Sequence, residues 1–332
     1  VKTAHGGIIA GRTGDGHGHP ARRIEPSARN PGIPLDLGWI GEVRTNRRAV
    51  ERRAAALPPR RPVKQSYRAA WLVRAIQCLD LTTLGGDDTP GSVRRLCAKA
   101  KSPLRADLVE GLGLDPAEVR VAAVCVYPNL VPVAVESLRG SGVRVASVAA
   151  GFPSGQMPLR TRLGEIEEVV RMGADEVDVV ITRSHVLRVD WQALYDEVRA
   201  FREAAGTALL KVIVACGELG TLRQVAQATS VAMMAGADFV KTSTGKEAVN
   251  ATPEFGIVMA RAVREYAERT GFRVGLKPAG GIRTTGQALD WLVLVKEELG
   301  DPWLDPGLFR IGASALLADI ERELEQDRHL IP

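Results

Sequence analysis

From Tyr67 onward the chain repeats one unit, a short β-branched or apolar run followed by a longer amphipathic stretch rich in Arg, Glu and Ala. The runs are AIQCLDL near residue 75, VRVAAVCVY (119–127), VRVASVAAG (143–151), EVDVVIT (176–182), LLKVIVAC (209–216), FVKTST (239–244), RVGLKPAGG (273–281) and LFRIGAS (308–314). Eight alternations of parallel type over about 260 residues predict an α/β chain closed into a (β/α)8 TIM barrel. An open doubly wound sheet fits less well, because it needs fewer strands and a dinucleotide glycine fingerprint that is absent here.

The rest of the 332 residues is read around that barrel, assigned to 67–326. Residues 1–34 hold 7 Gly and 4 Pro without apolar periodicity, the composition of a disordered tail. Residues 35–66 read as a helical extension of one or two short helices closed by Pro58-Pro59 and packed outside the barrel, and 327–332 as a short C-terminal tail. The formal charge of +5 is concentrated at the start: residues 1–65 carry 13 Lys/Arg against 5 Asp/Glu, which leaves the remainder slightly acidic. A basic tail on such a body argues against a nucleic-acid partner. No run of 18 apolar residues marks a membrane span. Four widely spaced cysteines (Cys78, Cys97, Cys125, Cys216) lie in or beside apolar runs, as buried thiols of a reducing, cytosolic protein would. His185 is the one histidine in the body away from either end, too few for a zinc cluster or a conventional Ser-His-Asp triad, so no metal or cofactor is expected.

Five charged residues interrupt apolar runs: Asp80 in the first, Asp178 in the fourth, Lys211 in the fifth, Lys241 in the sixth and Lys277 in the seventh. Each alone could be a strand-edge side chain reaching solvent, or half of a buried ion pair. Together they predict convergence at the barrel mouth, since charges are almost never buried without partners or a purpose. The repeats GADEVD (173–178) and GADFVK (236–241) place Asp178 and Lys241 each five residues past a glycine that ends a helix. Alternate strands supply one interior layer of a barrel, so this carboxylate and this ammonium should face each other.

A lysine held among other lysines by low-dielectric walls loses its preference for the charged form. Moving its pKa from about 10.4 to about 7 demands roughly 4 to 5 kcal/mol of differential stabilisation, which burial plus a second cation can supply. The free amine would attack a carbonyl to give a Schiff base, and the protonated imine is an electron sink for C–C cleavage at the adjacent carbon. A carboxylate and a second ammonium would relay protons. Gly280-Gly281-Ile282-Arg283 follows the seventh run and Gly312-Ala313-Ser314 the eighth, where barrels build phosphate sites from backbone N–H groups. The double glycine could equally be a tight turn. Lys246, after Gly245, could join a phosphate site. TSTGK is not a P-loop, because Val240 stands at the required first glycine and Glu247 follows the lysine.

The motifs DLTTLGGDDTP, VCVYP, GFPSG, DEVDVVI, LLKVIVACGEL, DFVKTSTGKEAVNATPE and GLKPAGGIRT together resemble, in order, the deoxyribose-phosphate aldolase family, from about Leu35 to Glu325. LDLGWI and WLVLVKEELGDPWL look like its longer form. The resemblance implies a class I aldolase that splits 2-deoxy-D-ribose 5-phosphate reversibly into glyceraldehyde 3-phosphate and acetaldehyde, in deoxyribonucleotide catabolism. It implies Lys241 as the Schiff-base lysine, Lys277 as the neighbour that lowers its pKa, and Asp178 as a proton-transfer carboxylate joined by Lys211 and Asp80. It further implies Cys125 near the substrate, with Thr82, Thr244, Gly245, Lys246, Gly280, Gly281, Ile282, Arg283, Gly312 and Ser314 binding substrate or lining its phosphate pocket. Its partners would be a phosphosugar substrate and further copies of the chain in a homodimer or larger homo-oligomer. Three departures stand out. Ala315 replaces a frequent second hydroxyl, which implies a weaker hold on phosphate; Cys216 stands at a frequent threonine; and HLIP ends the sequence without the family's tyrosine-bearing tail, implying slower or water-mediated deprotonation. Two alternatives are another Schiff-base barrel, such as a transaldolase-like enzyme or an isomerase, and a silent barrel that acts as an interaction module.

Overall fold

Each of the eight runs contains one strand in the computed structural model, which describes residues 29–60 and 62–327. The strands are β1 (Leu79–Thr82), β2 (Ala123–Val126), β3 (Arg144–Ala149), β4 (Glu176–Val180), β5 (Leu209–Ile213), β6 (Phe239–Lys241), β7 (Gly275–Lys277) and β8 (Ile311–Ala313). They form one parallel sheet in the order β7-β6-β5-β4-β3-β2-β1-β8. Parallel bridges Leu276–Phe309 and Ala279–Gly312 join β7 to the eighth run and close the remaining seam. Helices alternate with the strands outside this ring. The fold is the expected (β/α)8 barrel.

The first run forms strand only from Leu79 onward. Ala75, Ile76 and Gln77 finish the helix Gln65–Gln77 instead, because Leu72 and Ile76, one helical turn apart, are fully buried on one face. Helix starts elsewhere follow ordinary capping chemistry. The Thr221, Thr252 and Thr284 side chains accept from the backbone N–H of Gln224, Phe255 and Gln287, each three residues on. Gly173 and Gly236 end their helices with φ of +99° and +101°, a left-handed turn that glycine adopts at little cost just before β4 and β6.

Ahead of the barrel stand the helices Leu37–Glu42 and Arg47–Arg60, the second running through Pro58 and Pro59 in its last turn. Both pack on the barrel's outside. The Trp39 ring stacks on Tyr266 at 6.1 Å between centroids, and Arg53 pairs with Glu298 at 2.8 Å. Residues 1–28 and 328–332 lie outside the described residues, and with them most of both expected tails. Residues 29–34 differ from the disorder predicted for them. Asn30 is 4% exposed; its N–H donates to Asp238 Oδ1 at 3.0 Å and its amide to the carbonyls of Met233 and Ala237. Ile33 N–H donates to Met234 O at 2.8 Å. The segment is thus tied to the turn that feeds β6. Its composition reads as unstructured because its stability comes from hydrogen bonds to a distant part of the chain.

Candidate active site

Strand side chains alternate between the lumen and the outer helices. On β2 and β3 the lumen residues are small and apolar: Ala123, Cys125, Ala146 and Val148 form a cluster of their own, packed by Leu84, Tyr127 and Phe152. The strands on either side of this pair, and those beyond them, bring charge into the lumen. Asp80, Asp178 and Lys211 are fully buried there, and Lys277 and Lys241 are 1% and 3% exposed. All five residues predicted to converge do so. Their depth differs from expectation, however: Asp80 and Lys211 sit mid-strand inside the barrel, and only Lys241 and Lys277 end their strands at the mouth.

Asp178 is the hub. Its Oδ2 accepts from Lys241 Nζ and from Lys277 Nζ, both at 2.7 Å, while Oδ1 faces Lys211 Nζ at 3.0 Å. Lys277 Nζ also donates to Asp80 Oδ2 at 2.5 Å, and Lys211 Nζ to the same oxygen at 2.9 Å. Two residues that sequence reasoning missed complete the cluster. Glu176, at the start of β4, receives Lys211 at 2.6 Å; Arg310, just ahead of β8, donates to Glu176 Oε1 at 2.7 Å and to Asp80 Oδ1 at 2.6 Å. The period of two that places Asp178 in the lumen also places Glu176 there, two residues earlier, and Arg310 interrupts the eighth run as the lysines interrupt theirs.

These contacts set the protonation states. Burial alone would drive all three lysines toward the neutral amine. For Lys211, Asp178, Asp80 and Glu176 outweigh burial and hold its pKa well above the usual value; for Lys277, Asp178 and Asp80 outweigh burial and raise it. Lys241 is the exception. Burial wins, helped by the Lys277 charge and opposed by one carboxylate oxygen that Lys277 shares, so its pKa is lowered. Burial opposes ionisation of Asp178, but Lys211, Lys241 and Lys277 overcome it and keep it a carboxylate far below the ordinary range. Burial pushes the Cys125 thiol up, so it faces the cluster as a neutral thiol.

The expected phosphate-binding residues are spread over neighbouring loops. Gly280 and Gly281 have φ of +83° and +84°, and a Cβ on Gly280 would lie 2.7 Å from Asn250 Cβ, so the double glycine is required by backbone shape and by close approach. A Cβ on Gly312 would stand 2.9 Å from that of Ala279 and 3.3 Å from Lys277 Cε, so this glycine leaves room beside the lysine. Ser314 is exposed, two residues ahead of the helix Leu316–Asp327, and Arg283 is exposed with its N–H bonded to Gln287 Oε1. The Ile282 side chain is 4% exposed and belongs to the core, which leaves only its backbone for a ligand. Thr244 and Gly245 also depart from expectation. Their N–H groups already donate to the Glu247 carboxylate at 2.9–3.1 Å. Lys246 Nζ crosses the mouth to Leu84 O at 2.9 Å, and Thr82 Oγ1 bonds its own strand at Asp80 O. A cleft of about 500 Å³ opens beside Lys246 and Thr244, lined also by Ser154, Gln156, Arg183 and Glu218. None of the cluster residues lines it, so it flanks the lysines.

A buried amine whose pKa is lowered, beside a carboxylate that stays ionised and a second ammonium, is equipped for imine chemistry with proton transfer. Known proteins with the same sequence features point the same way. Deoxyribose-phosphate aldolase from Homo sapiens is 57% identical over 300 residues, covering 90% of this chain and 94% of the relative. Its counterpart from Mus musculus is 58% identical over 295 residues, covering 88% and 93%. The crystal structure of a putative deoxyribose-phosphate aldolase from Coccidioides immitis superposes with a TM-score of 0.62 at 26% identity, covering 84% of this chain and 98% of that one. The profile of the DeoC/LacD family aldolases matches residues 74–321, and with relatives this similar along nearly its whole length the chain belongs to that family.

Proposed function

We propose that the chain cleaves 2-deoxy-D-ribose 5-phosphate reversibly into glyceraldehyde 3-phosphate and acetaldehyde through a Schiff base on Lys241. The observation that carries this reading is the unequal sharing of Asp178: Lys241 has one oxygen of one carboxylate, which Lys277 also holds, while Lys277 and Lys211 each touch further acids. In the reaction, the free Lys241 amine adds to the aldehyde carbon of the open-chain sugar, and loss of water gives the protonated imine. A base takes the proton of the C3 hydroxyl; the C2–C3 bond breaks, its electrons pass to the imine, and glyceraldehyde 3-phosphate leaves. Protonation of the resulting enamine at C2, then hydrolysis, releases acetaldehyde and restores the amine. Asp178 and Lys277 stand beside the amine and are assigned these proton transfers. The apolar wall of Ala123, Cys125, Ala146 and Val148 offers the two-carbon unit a dry surface.

The phosphate is assigned to Gly280, Gly281, Arg283, Gly312 and Ser314, where an open, glycine-shaped rim meets the start of a helix. Lys246 contributes charge from the opposite loop. The cysteines are free and buried, which fits the expected cytosolic setting, and a homo-oligomer completes the reading, to be checked by light scattering. Among the described residues no helix is long and apolar enough to cross a membrane.

Borohydride reduction in the presence of acetaldehyde should leave a two-carbon adduct on Lys241, identified by peptide mass spectrometry. Lys241→Leu should lose both adduct and cleavage, by at least about a thousandfold. Normal cleavage of deoxyribose 5-phosphate by that variant would overturn the assignment.

A further inference from the structure

We propose that Arg310 and Glu176, neither of which touches Lys241, are positioning residues whose opposite charges cancel and so preserve the lumen's excess of one positive charge when every group is ionised, the charge that Lys241 releases. This inference rests on the Schiff-base reading above.

The argument is a charge count in a closed space. Lys211, Lys241, Lys277 and Arg310 face Asp80, Glu176 and Asp178, four cations against three carboxylates, and all seven are at most 3% exposed. A buried set of charges is most stable when its sum is zero, because an uncompensated charge loses its hydration without return. One proton must therefore be weakly held. Arg310 cannot yield it: a guanidinium stays protonated in proteins, and this one grips two carboxylates with its plane 5.6 Å from the Phe239 ring centre. Lys211 reaches three carboxylates and Lys277 two, whereas Lys241 has half a share in one. Loss of the proton from Lys241 to solvent leaves three cations facing three anions.

Other elements do not change the sum. From β2 the lumen receives Cys125, whose buried thiol stays neutral. From β3 comes Arg144, 3.7 Å from Glu176 but 27% exposed, a partly hydrated cation at the edge of the closed space that keeps water as a partner and is not one of the enclosed set. Phe239 closes the space below; a Cβ on Gly275 would lie 2.3 Å from its ring, so β7 carries no side chain there that could admit another group.

The test is the acid limb of the kcat/KM–pH profile, which reports the free enzyme's essential base. With Arg310→Met the lumen balances while Lys241 is still charged, so the limb should move to higher pH by about one unit, read as about tenfold lower activity at a fixed pH on the limb. Glu176→Gln should move it to lower pH by a similar amount. Arg310→Lys keeps the charge and should leave the limb in place. The double variant Arg310→Met/Glu176→Gln restores the excess of one and should return the limb toward the wild-type position. A merely structural role predicts the opposite pattern: uniform loss at every pH in each single variant, and more in the double. If Arg310→Met does not fold by circular dichroism, Glu176→Gln decides alone, and an unmoved or upward-shifted limb overturns the proposal. Borohydride trapping on the wild-type protein separates the two readings, since no adduct on Lys241 would sink the Schiff-base assignment, while a normal adduct with unmoved limbs sinks only this one.

Discussion

The two ends of β6 carry buried charge in opposite ways. Just ahead of the strand, Asp238 meets one guanidinium, Arg202 at 2.8 Å, and two backbone N–H groups, Asn30 at 3.0 Å and Leu210 at 2.8 Å. Arg202 Nη2 donates to the carbonyls of Gly206 and Ala208, and Asn30 Oδ1 accepts from Tyr266. One cation meets one anion, and the charges balance. At the other end, three residues along, Lys241 divides one carboxylate oxygen with Lys277 inside a cluster that has more cations than anions. Burial of a charge does not by itself mark function. What separates the ends is whether the local ledger of protons is closed, and only the open one can donate or accept during a reaction.

The sharpest way to break this contrast is a matched pair of substitutions. Asp178→Asn should lower kcat/KM per folded molecule by about 10² to 10⁴, over and above the stability it loses by leaving four buried cations facing two carboxylates. Asp238→Asn should instead cost about 3 to 5 kcal/mol in urea unfolding, by stranding Arg202, and leave turnover per folded molecule unchanged. If the two variants fail in the same manner, the ends are not distinct. Next in size, Asn30→Ala should destabilise by about 1 to 3 kcal/mol through lost buried hydrogen bonds, again without a change in the pH profile. The smallest effect belongs to the rim. Arg283→Ala should raise KM for the phosphorylated sugar by up to about fivefold, as suits an exposed charge, and should leave the unphosphorylated sugar unaffected. Equal loss with both sugars would remove Arg283 from the phosphate site.

Much of this arrangement was readable in the sequence. Eight apolar runs announce the barrel, and the shared spacing after Gly173 and Gly236 sets Asp178 against Lys241, as the fold has them. Periodicity works for these residues because each is a lone charge in a run that otherwise avoids water. The same period of two reaches Glu176 and Arg310, but both stand near the beginnings of their runs, where a charge reads as the polar edge of a strand. Periodicity failed for Asn30 because Gly and Pro dominate the composition around it, while its partners lie about 200 residues away. Thr244 and Gly245 were legible as a loop, but the occupation of their N–H groups by Glu247 depends on a local turn that spacing does not encode.

The segment that begins at Asn30 also redraws the boundary of the molecule. Trimming the chain to residues 74–321, the span that the family profile matches, would remove the Trp39 face from Tyr266 and uncover one oxygen of Asp238. The cooperative unit is larger than the chemical one, and an engineer who wants the smallest working version of this barrel has to carry along a stretch that never approaches the reacting carbon.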